Sequence, residues 1–216
     1  MKYLGKLRIT EIFLSIQGES SLVGWPTVFV RLTGCPLRCV YCDTAYAFSG
    51  GVICTIAEIL EQVRSYKIRH VCVTGGEPLA QLDCLALLRA LIGEGYEVSL
   101  ETSGALDVAE VDRRVVKVLD LKTPSSGEEG KNLYANLSHL FPGDQVKFVI
   151  MNDDDYRWSV EKLLEYRLNE RCEVLFSPAM GQQDPKELAE KILSDRLPVR
   201  FQLQLHKILW GNTPGR

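Results

Sequence analysis

Three cysteines fall within eight residues of the sequence, in the stretch GCPLRCVYCDT that covers residues 34–44. Cys35, Cys39 and Cys42 follow the spacing C-x3-C-x2-C, and no fourth cysteine or histidine is near enough in sequence to complete a four-ligand site. A structural zinc ion takes four ligands, and the ligand set of a catalytic zinc ion commonly includes a histidine or a carboxylate. A [4Fe-4S] cluster fits better, because three thiolates can anchor three irons and leave the fourth iron open to a small molecule.

A cysteine-rich turn without a metal is the alternative interpretation of this stretch. The spacings of four and three residues would place the three thiols on one face of a helix, but Gly34 and Pro36 disfavour a helix there. Seven cysteines, an odd number, do not indicate a disulfide framework. The four that stand apart are Cys54, Cys72, Cys84 and Cys172. Cys72 and Cys84 lie in strongly apolar stretches, where free cysteine packs as a small hydrophobic residue.

A glycine-rich turn, TGGEP at residues 74–78, is the second candidate for binding chemistry. Gly75 and Gly76 would let backbone groups approach a ligand closely, since neither has a Cβ. Glu77 offers a carboxylate that could accept hydrogen bonds from an ammonium group. Gly-Gly-Glu-Pro alone is a weak turn signal, but its position after the apolar run HVCVT and its company with the cysteine stretch strengthen it.

The bulk composition excludes several classes of partner. The chain has 216 residues, 46% of them hydrophobic and 25% charged, with a net charge of -3. Nucleic-acid and membrane surfaces usually require a basic excess, so we expect neither partner. No apolar run reaches the roughly 20 residues of a membrane-spanning helix, and the start MKYLGKLRIT lacks the apolar core of a signal peptide. The sequence therefore predicts a cytoplasmic protein.

Short β-branched runs alternate with amphipathic helical stretches along the chain. The predicted strands cover residues 27–32, 70–74, 97–102, 115–121, 145–150, 172–176 and 199–205, and the predicted helices cover 55–66, 82–95, 132–141, 155–168 and 184–197. This alternation predicts an α/β fold with a parallel sheet built from βαβ units. About seven strands favour a partial, reduced (β/α) barrel, because a full (β/α)8 barrel takes about 250 residues. We expect one domain over residues 1–216, with an N-terminal strand or hairpin extension and a C-terminal tail.

The polar loops follow the predicted strands. The cysteine stretch and the segments GGEP, TSG, KTPSS and SPAMGQQ each come directly after one of them. In parallel α/β proteins the carboxyl ends of the strands meet at one edge of the sheet, and ligands bind there. We therefore expect the cysteines, the glycine turn and the ETSG segment to line one cavity.

These motifs resemble those of radical S-adenosylmethionine (SAM) enzymes. The resemblance rests on the cysteine spacing, with the aromatic Tyr41 just before Cys42, and on the GGEP turn, which is similar to the glycine-rich turn after the family's second strand. It implies a [4Fe-4S] cluster whose open iron binds the amino and carboxylate groups of SAM. It also implies that one electron from the cluster cleaves SAM to methionine and a 5'-deoxyadenosyl radical, while the protein binds and orients the reactants.

A wider set of segments is similar to the 7-carboxy-7-deazaguanine synthase family. The set comprises EIFLSIQGES, FVRLTGC, LRC, YCDT, ETSG, DLKTP, KFVI and QLHKILWG, and it extends from near residue 12 almost to the end of the chain. The resemblance implies conversion of 6-carboxy-5,6,7,8-tetrahydropterin to 7-carboxy-7-deazaguanine, with ring contraction and loss of ammonia, on the route to 7-deazapurines such as queuosine. It further implies Mg2+, a homodimer, and a flavodoxin-like or ferredoxin-like electron donor.

Arg31 has a role that its sequence context also supports. It interrupts the apolar run VFVRLTG, and an arginine facing inward there requires an anionic partner, which the substrate carboxylate would provide. A surface ion pair is the alternative. The resemblance assigns the other site residues as follows: substrate contacts to Ile16, Gln17, Gly18, Thr102 and His206; SAM contacts to Gly75, Gly76, Glu77, Gly104, Lys122, Gln145 and Lys147; and Mg2+ to Thr44.

Bland interpretations remain for some of these residues. Asp43 and Thr44 form a good helix N-cap pair. The resemblance implies that Thr44 binds Mg2+ directly and that Asp43 does not contact the ion itself. A lysine at a strand end can bury only its stem, and a lone histidine such as His206 is often a core residue. Ser20 departs from the family pattern, which has a glycine at that position.

Two other functions are compatible with parts of the sequence. A radical SAM activase, which makes a glycyl radical on a partner enzyme, would share the cysteines and the GGEP turn. It would not require Arg31, Gln17 or a threonine that binds Mg2+. An iron-sulfur electron carrier would usually close its cluster with four protein ligands, so the missing fourth ligand argues against it.

Overall fold

The structure is a computed structural model that describes residues 4–211 and 213–215. The strands in this part of the chain are β1 (Lys6–Ile16), β2 (Pro26–Leu32), β3 (Val52–Thr55), β4 (His70–Gly75), β5 (Glu97–Thr102), β6 (Val116–Asp120), β7 (Gln145–Ile150), β8 (Glu173–Pro178) and β9 (Arg200–Phe201). The α-helices are α1 (Ile56–Ser65), α2 (Cys84–Gly93), α3 (Asp153–Glu165), α4 (Pro185–Ser194) and α5 (Leu205–Trp210). Short 3-10 turns occupy several of the loops.

All of these strands join one sheet in the order β3-β1-β2-β4-β5-β6-β7-β8-β9. From β2 to β9 each neighbouring pair is parallel, whereas β1 runs antiparallel to both β2 and β3. The α/β class and the partial (β/α) barrel that the sequence predicts are confirmed. The strands outnumber the prediction because β1 and β3 add an antiparallel edge to the parallel sheet. The division of the chain into domains stays a prediction.

The alternation of side chains along β2 separates the core from the cavity. Val28 and Val30 are fully buried in the main hydrophobic core, while Phe29 and Arg31 line a cavity on the opposite face of the strand. Successive side chains of a strand point to opposite faces, so one apolar run can serve both surfaces. The arginine in this run therefore faces inward, as the sequence predicts.

Helix α1 shows how the outer layer is fixed. The Thr55 hydroxyl accepts a hydrogen bond from the backbone N-H of Glu58, and the Glu58 carboxylate accepts one from the backbone N-H of Thr55. The apolar side chains of Ile59, Leu60 and Val63 are then buried against the sheet, at about 1.5–3 kcal/mol each relative to exposure. Among the described residues, no helix has the length and apolar character needed to cross a membrane.

The helix predicted over residues 132–141 is wrong. The structure has only a 3-10 turn at Tyr134–His139. The amide of Asn136 is fully buried and donates hydrogen bonds to the backbone carbonyls of Gly104 (3.1 Å) and Leu106 (2.8 Å). The segment follows the loop after β5 because this buried amide ties it there. Although Leu137 packs into the core, side-chain bonds to backbone groups compete with the hydrogen bonds of a longer helix.

The strand predicted over residues 199–205 is much shorter in the structure. Only β9 pairs with β8, and the next residue, Gln202, turns its buried side chain toward the loop after β1. Its amide oxygen accepts a hydrogen bond from the backbone N-H of Ser20 (2.7 Å), and its amide nitrogen donates to the Ser20 carbonyl (3.0 Å). Helix α5 follows, so His206 lies in a helix rather than at the end of the last strand.

Ser20 adopts a backbone conformation that favours glycine, with φ of 66°. An L-residue in this left-handed region costs roughly 1 kcal/mol. We therefore expect Ser20→Gly to raise the free energy of unfolding by up to about 1 kcal/mol, measured by urea denaturation. Ser21→Gly is the matched control, because Ser21 has no positive φ, and it should lower the stability instead. Equal losses in both variants would show that Ser20 carries no strain.

Candidate active site

A cavity of about 310 Å³ opens at the carboxyl ends of the parallel strands. It is the site at which the sequence predicts that the separate polar loops meet. The predicted site residues that line it are Ile16, Gln17, Gly18, Arg31, Cys35, Cys39, Cys42, Thr44, Gly75, Gly76, Thr102, Lys122, Lys147 and His206. The fold thus brings together side chains that are up to about 190 residues apart in sequence, as parallel α/β architecture allows.

Backbone hydrogen bonds hold the cysteine loop in place. The N-H of Gly34 donates to the carbonyl of Ala47 (2.8 Å), and the N-H of Val40 donates to the carbonyl of Ser126 (3.0 Å). The guanidinium of Arg38 donates to the carbonyl of Cys35 (2.7 Å). These bonds engage the backbone and leave the three thiols, each half-buried, at the cavity wall.

The glycine turn packs directly against the cysteine loop. A Cβ built on Gly76 would lie 2.2 Å from the carbonyl oxygen of Gly34 and 2.8 Å from the Cβ of Cys35. The backbone N-H of Glu77 also donates to the Gly34 carbonyl (2.8 Å). Only glycine permits this approach, so the two motifs form one continuous wall of the cavity.

Glu77 is fully buried and does not line the cavity. Its carboxylate accepts hydrogen bonds from the hydroxyl of Thr102 (2.9 Å to each oxygen), from the N-H and hydroxyl of Ser103 (2.7 and 2.5 Å), and from the N-H of Leu79 (3.0 Å). A carboxylate offers about four acceptor positions, and these donors occupy them in this structure, so the contact of Glu77 with SAM stays a prediction. In this structure Glu77 instead ties the loops after β4 and β5 together.

Arg31 forms a polar cluster with Glu11 and Tyr46. Its Nε donates to the Glu11 carboxylate (2.7 Å), which also accepts from the Tyr46 hydroxyl (2.8 Å). The guanidinium lies over the ring of Phe13, 5.6 Å from its centroid. Burial would lower the pKa of Arg31, but the neighbouring Tyr46 and Glu11 raise it. One edge of the guanidinium is thus fixed, and its two terminal amino groups have no hydrogen-bond partner among the described residues.

Three lysines on the cavity wall are each paired with a carboxylate. Lys147 pairs with Glu19 (2.5 Å), as Lys122 does with Asp120 (2.8 Å) and Lys207 with Asp43 (2.8 Å). Burial would raise the pKa of Glu19, but Lys147 outweighs it and holds that pKa at about 2. Burial would lower the pKa of Lys122, but Asp120 raises it to about 12. With the pKa of Glu19 held low and that of Lys147 raised, the Lys147–Glu19 pair stays ionised over the physiological pH range, and its two charges neutralise one another inside the cavity.

His206 lies against the loop that follows β1. A Cβ on Gly18 would lie 2.1 Å from Nδ1 of His206, and the N-H of Leu205 donates to the Gly18 carbonyl (3.0 Å). Gly18 is therefore required for the start of α5 to close this side of the cavity.

The sequence of this chain is similar to known proteins. A family model described as the radical SAM superfamily matches residues 29–122. Curated proteins named 7-carboxy-7-deazaguanine synthase are similar over nearly the whole chain. The one from Chlorobaculum tepidum is 46% identical over 95% of this chain and 94% of its own length. The one from Koribacter versatilis is 41% identical over 94% of this chain and 97% of its own length. The chain belongs to the 7-carboxy-7-deazaguanine synthase family.

A solved structure supports the fold that this family membership implies. The crystal structure of QueE from Escherichia coli matches with a TM-score of 0.78 and covers 93% of this chain and 95% of that chain. Its sequence identity is 23%, so it bears on the architecture and not on the site chemistry.

Membership of the 7-carboxy-7-deazaguanine synthase family, within the radical SAM superfamily, implies a [4Fe-4S] cluster and SAM. The residues fit the cluster. Among the described residues, no three cysteine, histidine or acidic side chains converge on one metal ion, and a cluster requires no such convergence because each thiolate binds a different iron. Burial raises the pKa of Cys39 to about 11, so this thiol becomes a thiolate only when a metal displaces its proton.

Two other predicted SAM contacts do not line the cavity. Gly104 accepts a hydrogen bond from the N-H of Leu133 (3.0 Å). The Gln145 side chain is buried, donates to Glu173 (2.8 Å) and accepts from the N-H of Ser21 (3.2 Å). Both residues shape neighbouring loops in this structure, and their contact with SAM stays a prediction.

Sequence reasoning missed several charged residues of the cavity. They are Glu19, Glu101, Asp120 and Lys207, with Tyr46 beside Arg31. The first three stand next to selected residues in the segments IQGES, ETSG and DLKTP. Arg31 was identified because it is a charged residue that faces inward from an otherwise apolar strand. The same criterion applies to Glu101 and Asp120.

Proposed function

We propose that this chain converts 6-carboxy-5,6,7,8-tetrahydropterin to 7-carboxy-7-deazaguanine and ammonia. The curated relatives that carry this synthase name support the proposal. The observation that carries it is the joint position of the cysteine loop, the glycine turn and Arg31 around one cavity. The names of the curated relatives favour this activity over that of a glycyl-radical activase. An activase would also not require an arginine such as Arg31 that binds the carboxylate of a small substrate.

The protein's part in the reaction is to bind and orient. When bound, the cluster and SAM would supply the radical chemistry for hydrogen abstraction from the substrate. The thiols of Cys35, Cys39 and Cys42 would hold the cluster, and the backbone at Gly75 and Gly76, which lines the cavity, would receive the methionine end of SAM.

Arg31 would anchor the substrate carboxylate through its terminal amino groups. Glu11 fixes the Nε edge of the guanidinium and thereby aims the other edge. A charge-assisted pair of this kind fixes both the distance and the plane of the carboxylate. Such positioning matters here because a small displacement of a reacting carbon is costly.

Thr44 is the residue that we propose as the Mg2+ ligand. Its hydroxyl lines the cavity 3.8 Å from the Cys42 sulfur, whereas the Asp43 carboxylate is engaged by Lys207 (2.8 Å). Mg2+ binds hard oxygen ligands and usually retains water and substrate oxygens. A threonine hydroxyl together with the substrate carboxylate suits that preference.

Thr44→Ala should weaken the response of turnover to Mg2+ by about tenfold or more, because one oxygen ligand is lost. Titration of turnover with Mg2+ measures this effect. Thr44 directly precedes the 3-10 turn Ala45–Phe48, and Ser49 directly follows it. Ser49→Ala removes an exposed hydroxyl and should leave the titration unchanged. An unaltered Mg2+ titration for Thr44→Ala would exclude the hydroxyl as a ligand.

The direct test of the function is anaerobic reconstitution with iron and sulfide, followed by incubation with SAM, reductant and the carboxypterin. The proposed function predicts 7-carboxy-7-deazaguanine and one ammonia per turnover, with SAM regenerated. SAM cleavage that ignores the carboxypterin would contradict the proposal and favour the activase. We further infer from the family resemblance a homodimer in the cytoplasm, with a flavodoxin-like or ferredoxin-like electron donor.

A further inference from the structure

One carboxylate of the cavity differs from the other three in its partners. Glu19, Asp43 and Asp120 each lie within 2.8 Å of a lysine nitrogen, whereas Glu101 has no cation within 4.0 Å among the described residues. A half-buried carboxylate on a cavity wall is less solvated than one at the surface, and it requires donors to compensate its charge. Arg31 and Lys147 act on Glu101 only through space, so Glu101 is the acidic group of the cavity that has no direct ion pair among the described residues.

The hydrogen bonds of Glu101 come from neutral groups. Its Oε1 accepts from the amide of Gln17 (3.3 Å), and its Oε2 accepts from the hydroxyl of Thr74 (2.9 Å). The buried thiol of Cys72 is also adjacent: burial raises its pKa, and the nearby Glu101 carboxylate adds to the rise. The Gln17 amide and the Thr74 hydroxyl each occupy one of the about four acceptor positions of the carboxylate, one on each oxygen. The Cys72 thiol is also within reach of the carboxylate, but a thiol is a weak donor that a ligand N-H can displace. One position on each oxygen is therefore available to a ligand.

Arg31 presents the complementary vacancy in the same cavity. Its terminal amino groups have no hydrogen-bond partner in the described part of the chain, and it lies on β2, which is separated from the β5 strand of Glu101 by β4 alone. The two side chains are thus about two strand spacings, or roughly 9–10 Å, apart at their Cα atoms. The cavity offers an anion site at one position and a pair of acceptors at another, which suits a ligand with a carboxylate at one end and paired N-H donors at the other.

We propose that Glu101 recognises the N3-H and 2-amino edge of the pterin. This inference rests on the proposed function, because it takes the carboxypterin as the substrate. The edge carries two parallel N-H donors, which match the two open acceptor positions in a bidentate arrangement. Glu101 would thereby select a 2-amino ring, while Arg31 selects the carboxylate.

A glutamine at position 101 changes the pattern of hydrogen-bond donors and acceptors without changing the size of the side chain. Glu101→Gln replaces one acceptor oxygen by an NH2 donor, which would face an N-H donor of the pterin and leave both unpaired. A 2-oxo analogue of the carboxypterin (6-carboxytetrahydrolumazine) has one donor and one acceptor on that edge, and these match a glutamine amide. The hydroxyl of Thr74 can donate or accept, so it can remain bonded to the new side chain.

The experiment measures equilibrium binding of the 2-amino and 2-oxo ligands to anaerobic, cluster-loaded protein in the presence of SAM. The parent protein should prefer the 2-amino ligand by about ten- to a hundredfold. Glu101→Gln should weaken 2-amino binding by a similar factor and strengthen 2-oxo binding, so that the preference reverses. Glu97→Gln, the same change at the opposite end of β5, should leave both affinities and their ratio unchanged.

Each other outcome has a definite meaning. A parent protein that binds no carboxypterin contradicts the proposed function itself. A parent protein that binds both ligands equally overturns the inference without any variant, as does a Glu101→Gln protein that keeps the parent preference. A Glu101→Gln protein with a full cluster that loses SAM affinity, but not the 2-amino preference, would assign Glu101 to the ammonium of SAM and also overturn the inference.

Discussion

Replacement of Cys39 by alanine should yield a folded protein that holds no complete [4Fe-4S] cluster and cleaves no SAM. Cys39 is half-buried at the cavity wall in a loop that backbone hydrogen bonds already fix, so the loss of its thiol removes a ligand without releasing the loop. With two thiolates left, two irons of the cluster would lack protein ligands. Iron and sulfide content after anaerobic reconstitution, together with SAM cleavage, measures the effect.

The other cysteines provide the matched controls for this prediction. Cys54 stands on the edge strand β3 and Cys84 begins α2, and neither lines the cavity. Cys54→Ala and Cys84→Ala should reconstitute to the parent iron content, although Cys84→Ala should be less stable because that side chain is fully buried. A Cys39→Ala protein with parent iron content and SAM cleavage would show that the cluster is held elsewhere.

Replacement of Arg31 by alanine should weaken carboxypterin binding while SAM binding survives. The charge-assisted bonds lost are worth about 1.5–3 kcal/mol, which corresponds to roughly ten- to a hundredfold in affinity. We expect the upper end of this range, because the substitution also leaves the Glu11 carboxylate near the proposed substrate carboxylate, with Tyr46 as its remaining side-chain hydrogen-bond partner among the described residues. Equilibrium binding of each ligand, measured separately, tests the prediction.

Two further variants separate the loss of the Arg31 hydrogen bonds from the repulsion by the Glu11 carboxylate and from the general loss of a positive charge. Adding Glu11→Gln to Arg31→Ala removes the like-charge repulsion, so the double variant should recover part of the lost affinity. Arg69→Ala removes an exposed arginine just before β4, at the opposite end of the sheet, and it should bind both ligands like the parent protein. If Arg31→Ala binds and converts the carboxypterin like the parent, the carboxylate is anchored elsewhere and the synthase proposal loses its main structural support.

Local spacing in the sequence was sufficient to predict the cluster site and the order of the main elements. The three cysteines that we propose as cluster ligands lie within eight residues, so their proximity depends on no distant contact. The strands of the parallel sheet are short runs rich in β-branched and apolar residues, and the loops that follow parallel strands must gather at one edge of the sheet. For this reason the cavity and the inward direction of Arg31 could be predicted before the fold was known.

The exact partners of side chains depended on tertiary structure. Glu77 is buried against Thr102 and Ser103, the Gln202 amide binds Ser20, and these partners are 25 to 182 residues apart in sequence. The amide of Gln202 also ended the last strand early and placed His206 on a helix. An alternating or periodic pattern cannot reveal such bonds, because it records which face a residue occupies and not which group it meets there.

The sequence by itself determined the chemistry of the cluster, the family and the location of the cavity, since these follow from residue types at short range and from strand order. Only the tertiary structure decided which charges in that cavity are already neutralised. Lys147, Lys122 and Lys207 come from β7, the end of β6 and α5, and each reaches a carboxylate, whereas none reaches Glu101. Coulomb energy depends on the distance between charges in space, and the fold alone fixes that distance.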